Sequence, residues 1–292
     1  MAESKHDIWS EWLLNRRFGA NAEQLKATMD CLYPVRDKVL QYAHLGENET
    51  LLDVGCGDGL IAFGAFEQSN SVKVIFSDIS QDLLNHAQVI AQKMGVLDRC
   101  QFICAPAENL SVIRDKSVEV VTIRSVLIYV ATKQLAFSEF YRVLKPQGRL
   151  SIFEPINKFC SSEPMHIFWG YDVTPVAEIA QKIKAVYYRI QPPDSDPMLD
   201  FDERDLLTFA GKAGFKEIHL DLQVEIKPKS KDTNWESVFR TAWNPKIPTL
   251  EEAIQQVLTS SEAKEFIAHL CPLVEAQQGV NQSAVAYLWA IK

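Results

Sequence analysis

An open α/β fold, a mostly parallel sheet doubly wound with helices on both faces, is predicted by three features of the 292-residue chain. First, short apolar runs alternate with helical patterns between residues 50 and 155: strands at 51–54, 72–77, 101–104, 118–123 and 149–154, helices at 59–68, 81–94 and 132–144. Such alternation forces crossover connections and parallel pairing. Second, the run Leu51-Leu52-Asp53-Val54 breaks at Gly55-Cys56-Gly57-Asp58-Gly59, and Leu60-Ile61-Ala62-Phe63 opens a helix. Glycines there let the turn take positive φ and let backbone N–H groups approach a ligand. Third, Val74-Ile75-Phe76-Ser77-Asp78 ends in an acid 25 residues after Asp53. A carboxylate at the end of a second parallel strand is placed to accept ribose hydroxyls.

The glycine turn narrows the ligand. A dinucleotide fingerprint needs its third glycine at position 60, where Leu60 stands, and a phosphate-binding loop needs a lysine after Gly59, which is absent. An acid followed by G-x-G-x-G, as in Asp53 to Gly59, resembles the first motif of the class I S-adenosylmethionine-dependent methyltransferases. Four further stretches resemble that family in the right order: 74–78, 102–110 with its adenine-edge loop, 118–127, and Phe140-Tyr141-Arg142-Val143-Leu144-Lys145-Pro146-Gln147-Gly148-Arg149-Leu150 leading into strand five. The resemblance covers residues 45–155 and implies a Rossmann-like methyltransferase fold. That fold is an α/β, doubly wound, seven-stranded, mostly parallel sheet whose last two strands pair antiparallel at the edge, here with helical cap insertions. It also implies S-adenosyl-L-methionine as cofactor. The cofactor would be bound by Asp53, Gly55, Cys56, Gly57 and Gly59 of the turn, by Asp78 and Ile79, by Ala107 and Glu108, and by Arg124 and Ser125. Many relatives carry aspartate where Pro106 stands, so the adenine amino group here falls to Glu108, a backbone carbonyl or water.

Residues 6–45 read as helical, with Trp9, Trp12 and Leu13 and then Met29, Leu32, Val35, Val39 and Tyr42 at helical spacing. Pro34 is expected to break or restart that helix. The segment either packs against the sheet or covers the methionine end of the cofactor, as N-terminal helices do in similar methyltransferases. Ser80 is placed to cap the helix at 81–94 and Gly95 to close it. After Pro155 the alternation lapses: 156–172 mixes polar punctuation with large aromatics, 173–190 reads as a helix and 191–197 as a loop. Phe201 to Gly214 reads as a helix capped by Asp202, while 215–228 and 283–292 read as the last two strands. The stretch between those strands exceeds what a hairpin needs, and helices near 249–259 and 261–270 fill it. The expected organisation is an N-terminal helical lid at 1–45, a cofactor-binding core at 46–155, a cap insertion at 156–200, and a C-terminal part of the sheet at 201–292 with a second cap insertion at 229–282.

Composition sets limits. Hydrophobic and charged fractions of 47% and 23% are those of a globular chain, and a net charge of −8 argues against a phosphate-backbone binder, so no nucleic-acid partner is expected. No apolar run approaches the ~20 residues of a membrane helix and the opening stretch does not read as a signal peptide, so no membrane partner and a cytoplasmic location are expected. The six cysteines form no C-x-x-C pair, which favours reduced thiols and no metal site.

Methyl transfer from a sulfonium is an in-line displacement, so the protein mainly positions and desolvates the reactants. Candidate catalytic residues lie near the ends of strands four and five or in the caps. Glu154 is a base or a brace for its strand–loop junction. His166, in the aromatic insertion, is a general base or is merely structural or exposed. Tyr129 faces the methyl group or caps its loop. The aromatics at 168, 169, 171, 235 and 243 line a substrate pocket or pack the caps. The expected function is an S-adenosylmethionine-dependent methyltransferase acting on a small-molecule acceptor, with O-methylation the first choice and N- or C-methylation next. An arsenite-type methyltransferase and a non-catalytic cofactor-binding relative are the alternatives.

Overall fold

The computed structural model describes residues 7–16, 22–160, 163–230 and 233–292; parts of the expected lid and of both expected caps lie outside the described residues. In chain order the first half contains helices α1 (Ile8–Glu11), α2 (Ala22–Ala43), α3 (Leu60–Gln68), α4 (Gln81–Met94) and α5 (Lys133–Val143), and strands β1 (Thr50–Val54), β2 (Lys73–Asp78), β3 (Cys100–Cys104), β4 (Val118–Arg124) and β5 (Leu144–Pro155). A small hairpin, β6 (Ile167–Phe168) and β7 (Tyr171–Asp172), is followed by α6 (Ala177–Ile190), α7 (Glu203–Ala213) and β8 (Glu217–Pro228). Helices α8 (Trp235–Arg240), α9 (Leu250–Val257) and α10 (Ser260–Glu275) precede the last strand, β9 (Val280–Ile291).

The main sheet has seven strands in the order β3-β2-β1-β4-β5-β9-β8, parallel from β3 to β5 and antiparallel at β9 with both neighbours. This is the Rossmann-like methyltransferase architecture. Strands β1 and β4 are buried along nearly their whole length because helices cover both faces, which is why they read as continuous apolar runs rather than alternating ones. Helices α2, α3 and α4 pack one face through Leu40, Ala62, Phe66 and Leu84, and α5 and α7 pack the other through Phe137, Phe140, Leu206 and Ala210. Local chemistry sets the helix ends. The Ser80 hydroxyl accepts the Leu83 N–H, Gly95 closes α4 in the left-handed region, and Asp202 with Asp205 forms a reciprocal cap on α7.

Three details depart from the sequence reading. Helix α2 runs straight through Pro34: one missing N–H costs a single hydrogen bond, and the burial of Val39, Leu40 and Ala43 against the sheet outweighs it. Strand β5 starts at Leu144, ahead of the expected residue 149, because Leu144 pairs with Val118 across an irregularity in the β4 register. The aromatic stretch after Pro155 contains the β6–β7 hairpin, turned by Trp169 at φ 50° and Gly170 at φ 82°.

The two insertions share one hydrophobic core. Phe168, Tyr171, Ile183 and Val186 from the first pack with Val238, Leu250, Phe266 and Leu270 from the second. Packing them together buries the apolar faces of α6, α9 and α10 in one place.

Candidate active site

The carboxyl ends of β1, β2, β4 and β5 open into a cavity of about 560 Å³, the place where open parallel sheets bind ligands. The glycine turn forms its floor. Gly55 takes φ 64°, and a Cβ there would lie 2.3 Å from the Val126 side chain; Gly59, at φ 86°, would put one 2.4 Å from Phe63. A side chain at either position would push the turn off β4 or off α3.

Asp78 lines the cavity at the end of β2 and is 7% exposed. Its two oxygens accept the Ser80 N–H at 2.9 Å and the Gly57 N–H at 2.8 Å, so the acid is fixed to the glycine turn while keeping lone pairs toward the cavity. Burial pushes its pKa up, and the N–H groups of Ser80 and Gly57 oppose that. Ile79 lines the cavity next to it, and Ala105, Pro106, Ala107 and Glu108 form the adjoining edge after β3. Gly55, Gly57, Arg124 and Ser125 complete this side. Ser125 adopts a left-handed φ of 57° and donates its N–H to the Phe153 carbonyl at 2.9 Å.

Several expected site residues stand elsewhere. Asp53 does not line the cavity: its carboxylate accepts the Thr122 hydroxyl at 2.9 Å and the Ala62 N–H at 3.2 Å, tying β4 to the first turn of α3. Burial raises its pKa to about 7 against the opposing effects of Thr122 and Arg124. Cys56 is buried beneath the turn, with its N–H on the Ser77 carbonyl, and Gly59 caps α3; neither lines the cavity.

Glu154 is fully buried and outside the cavity. Its carboxylate accepts the N–H groups of Val126 and Leu127, both at 2.8 Å, and of Ile128 at 3.4 Å, so it braces the turn after β4. Burial lifts its pKa to about 7, opposed by those N–H groups. His166 is exposed before β6 and does not reach the cavity. Tyr129 does line it, edge-on to Trp9 with ring centroids 4.9 Å apart. Of the expected pocket aromatics, Trp243 lines the cavity, whereas Trp169 packs behind it, 6.2 Å from Trp243 and 5.5 Å from Tyr187.

The outer wall adds residues with no motif. Trp9 of α1, with Trp12 and Leu13 of the π-helical turn Trp12–Arg16, closes over the cavity, and the Trp12 indole donates to the Ala242 carbonyl at 2.8 Å. Val130, Asn157, Met198 and Thr241 also line it. The apolar periodicity of 9–13 was the signal for the first group; nothing in the sequence around Met198 marks it. Among the described residues no cluster of His, Cys, Asp or Glu is placed to hold a metal ion, and no helix is long and apolar enough to cross a membrane.

A left-handed glycine turn, an acid lining the cavity at the end of β2 and the covered cavity beyond them are the site of a Rossmann-like fold. Residues 45–190, half of the chain, match the family model described as a methyltransferase domain. The chain belongs to that family: it is a class I S-adenosylmethionine-dependent methyltransferase, an enzyme whose cofactor is S-adenosyl-L-methionine.

It is 27% identical over 223 residues to the ubiquinone/menaquinone biosynthesis C-methyltransferase UbiE of Rickettsia prowazekii, covering 72% of this chain and 87% of that one. Its fold is similar to the YcgJ protein from Bacillus subtilis, with a TM-score of 0.54 at 17% identity over 88% of this chain and 97% of that one. It is also similar to phosphoethanolamine N-methyltransferase 2 of Haemonchus contortus, in complex with S-adenosyl-L-methionine, with a TM-score of 0.51 at 17% identity over 98% of this chain and 56% of that one.

Proposed function

We propose that the enzyme methylates a ring carbon of a small, flat, apolar acceptor of the hydroquinone type. The observation that carries this reading is the make-up of the outer half of the cavity, where Trp9, Trp12, Ile128, Val130, Met198 and Trp243 meet. Among the described lining residues the ionisable groups are Asp78, Glu108, Arg124 and Tyr129, and both carboxylates stand at the β2 and β3 ends, on the cofactor side. No carboxylate or imidazole in that lining faces the outer half to take a proton from an alcohol or an amine.

A ring carbon activated by its own ionised hydroxyl needs no such base. The new carbon–carbon bond forms as the carbon–sulfur bond breaks, and the ring proton then leaves to water. Arg124, which makes no ion pair among the described residues, lines the cavity at the end of β4 and favours an anionic oxygen beside it. The Rickettsia relative is named a C-methyltransferase, which supports carbon over the oxygen that the sequence alone put first. No cysteine lines the cavity, and the Cys160 thiol donates to the Gln282 carbonyl instead, so the arsenite-type alternative has no support here.

The residues present fit the family's cofactor. When bound, it supplies a methyl group already activated on a sulfonium. Gly55 and Gly57 leave the turn open to it, and Asp78 would accept the ribose hydroxyls. Ile79 and the edge from Ala107 to Glu108 would flank the adenine, while Arg124 and Ser125 would hold the methionine end. Asp53, Cys56 and Gly59 support the turn from beneath. Trp9 and Trp12 exclude water from the reacting carbon, as a cationic donor and a weak nucleophile require. Incubation with 13C-methyl-labelled cofactor and a 2-alkyl-1,4-naphthohydroquinone under reducing conditions tests the reading. A carbon-bound methyl signal is expected; a methoxy signal, or no labelled quinol, overturns it.

A further inference from the structure

One wall of the cavity depends on a short loop, residues 196–200, held by two buried polar anchors. Met198 lines the cavity from this loop. On one side Lys133, 3% exposed at the start of α5, spends its ammonium protons on the Asp200 carboxylate at 2.6 Å, the Pro197 carbonyl at 3.0 Å and the Val130 carbonyl at 3.1 Å. On the other side the buried Asp196 carboxylate accepts the Met198 N–H at 2.9 Å and the Gln191 amide at 3.1 Å. The Gln191 side-chain Oε1 in turn accepts the side-chain amide of buried Asn244 at 3.1 Å. Val130 and Trp243, the neighbour of Asn244, both line the cavity. A continuous hydrogen-bonded chain therefore links three segments of the wall: the turn after β4, the end of the first insertion and the second insertion.

A buried ammonium is a costly way to fill space that an apolar side chain would fill more favourably, unless its geometry matters. Here each of its protons fixes a carbonyl or carboxylate within two residues of a cavity-lining side chain. The backbone of Met198 is thus pinned at 196, 197 and 200, and its thioether sulfur accepts the Gln191 side-chain amide at 2.9 Å, so the side chain is held by the same anchor.

We infer that Met198 sets the width of the apolar ring the cavity admits, and that Lys133 and Asn244 are positioning residues that hold it there. This deepens the reading above and rests on it only for the chemical class of the acceptor. The cofactor side shares none of these bonds, so the effect is confined to the acceptor.

Trp9, Trp12 and Trp243 line the cavity, so their fluorescence reports binding of 1,4-naphthohydroquinone under anaerobic conditions with S-adenosylhomocysteine present. Lys133→Met is expected to weaken naphthohydroquinone binding at least about tenfold while S-adenosylhomocysteine affinity stays within about twofold, with Lys133→Arg restoring most of the loss. Met198→Ala should improve binding of a wider tricyclic anthrahydroquinone relative to naphthohydroquinone, and Met198→Trp should reverse that order. Should Lys133→Met fail to fold, Asp200→Asn and Asn244→Ala remove the same anchors one bond at a time. Unchanged naphthohydroquinone affinity in folded anchor variants, equal loss for both ligands, or no change in ring preference at Met198 overturns the inference. A wild-type enzyme that binds the probe but does not methylate a quinol overturns the functional reading alone; one that does not bind it overturns both.

Discussion

Ser80 donates its hydroxyl to Asp7 at 2.6 Å and its N–H to Asp78 at 2.9 Å, so one residue joins the acid that caps the N-terminal strap to the acid that lines the cavity at the end of β2. Asp7 also caps α1 by accepting the N–H groups of Trp9 and Ser10, and Trp12 is bonded to Ala242 across the cleft. The strap that covers the cavity is therefore tied at Asp7 to the loop after β2 and at Trp12 to the second insertion.

Cutting that tie should speed ligand release. Loss of a helix N-cap costs about 1 kcal/mol, so Asp7→Ala is expected to raise the S-adenosylhomocysteine off-rate about fivefold while the core melts within about 2 °C of the wild type. Burial acts to raise the Asp7 pKa, but the bonds from Ser80, Ser10 and Trp9 outweigh it and hold the pKa below the usual 3.8. The latch is thus complete above pH 3.8 and weakens as pH falls through the lower folded value, so the wild-type off-rate should rise only in acid. Stopped-flow displacement at several pH values checks both; an off-rate indifferent to Asp7 would show that the strap does not gate release.

Asp78 should dominate cofactor affinity. Charge-assisted bonds to two ribose hydroxyls contribute on the order of 1.5–3 kcal/mol each, so Asp78→Asn should weaken binding at least about tenfold. The asparagine keeps one acceptor for the Gly57 or Ser80 N–H, which preserves the turn better than alanine does. Calorimetry on both variants separates ribose recognition from support of the turn: similar wild-type affinity in folded Asp78→Asn would place the ribose elsewhere.

Glu154 and Asp53 should make the enzyme less stable as pH rises. Each has its pKa lifted by burial to about 7 from the usual 4.5 and 3.8, so the folded state holds its proton longer than the unfolded one. Their contribution is fully present below pH 3.8 and is lost as pH rises through 7. Melting temperatures between pH 5 and 8 should fall in the wild type and fall less in Glu154→Gln and Asp53→Asn. Because Glu154 braces backbone rather than touching the acceptor, Glu154→Gln should also keep most of the turnover. Glu154→Ala leaves buried N–H groups unpaired at about 1–3 kcal/mol each and should destabilise the fold strongly. A Glu154→Gln enzyme that folds but does not turn over would restore Glu154 as the base.

The two cap tryptophans should separate in opposite directions. Trp243 is 57% exposed and lines the cavity, so Trp243→Ala should raise the acceptor KM with little change in melting temperature. Trp169 packs between Phe168 and Tyr187, so Trp169→Ala should cost stability on the order of 3 kcal/mol and leave acceptor binding nearly intact at low temperature. Melting curves run beside acceptor titrations check the pair; matching behaviour of the two variants would contradict the placement.

Elements specified by neighbouring residues were legible in the sequence. The strand–turn–helix at Leu51 to Phe63 depends on local glycines and an apolar run, and the caps at Ser80, Gly95 and Asp202 depend on side chains reaching their own backbone. Those signals act within a few residues, so they survive without knowledge of the fold. The family resemblance and the cofactor follow from the same short stretches.

Tertiary structure decided what identical local patterns become. Asp53 and Asp78 both end apolar strands, but Asp53 pairs with Phe76 in register, so Asp78 stands two residues further toward the carboxyl edge and reaches the cavity. Asp53, set back beside Thr122, turns inward to that hydroxyl and to α3. Glu154 sits at the end of β5 as expected, yet three N–H groups of a turn some 26 to 28 residues earlier in the chain claim its carboxylate. The outer cavity wall required Trp9, Val130, Met198 and Trp243 to meet from four distant segments, and the shared core of the two insertions required Phe168 to find Phe266. Nothing within a residue's own neighbourhood encodes such meetings, because they are set by how helices and loops pack around the sheet once the strand order is fixed.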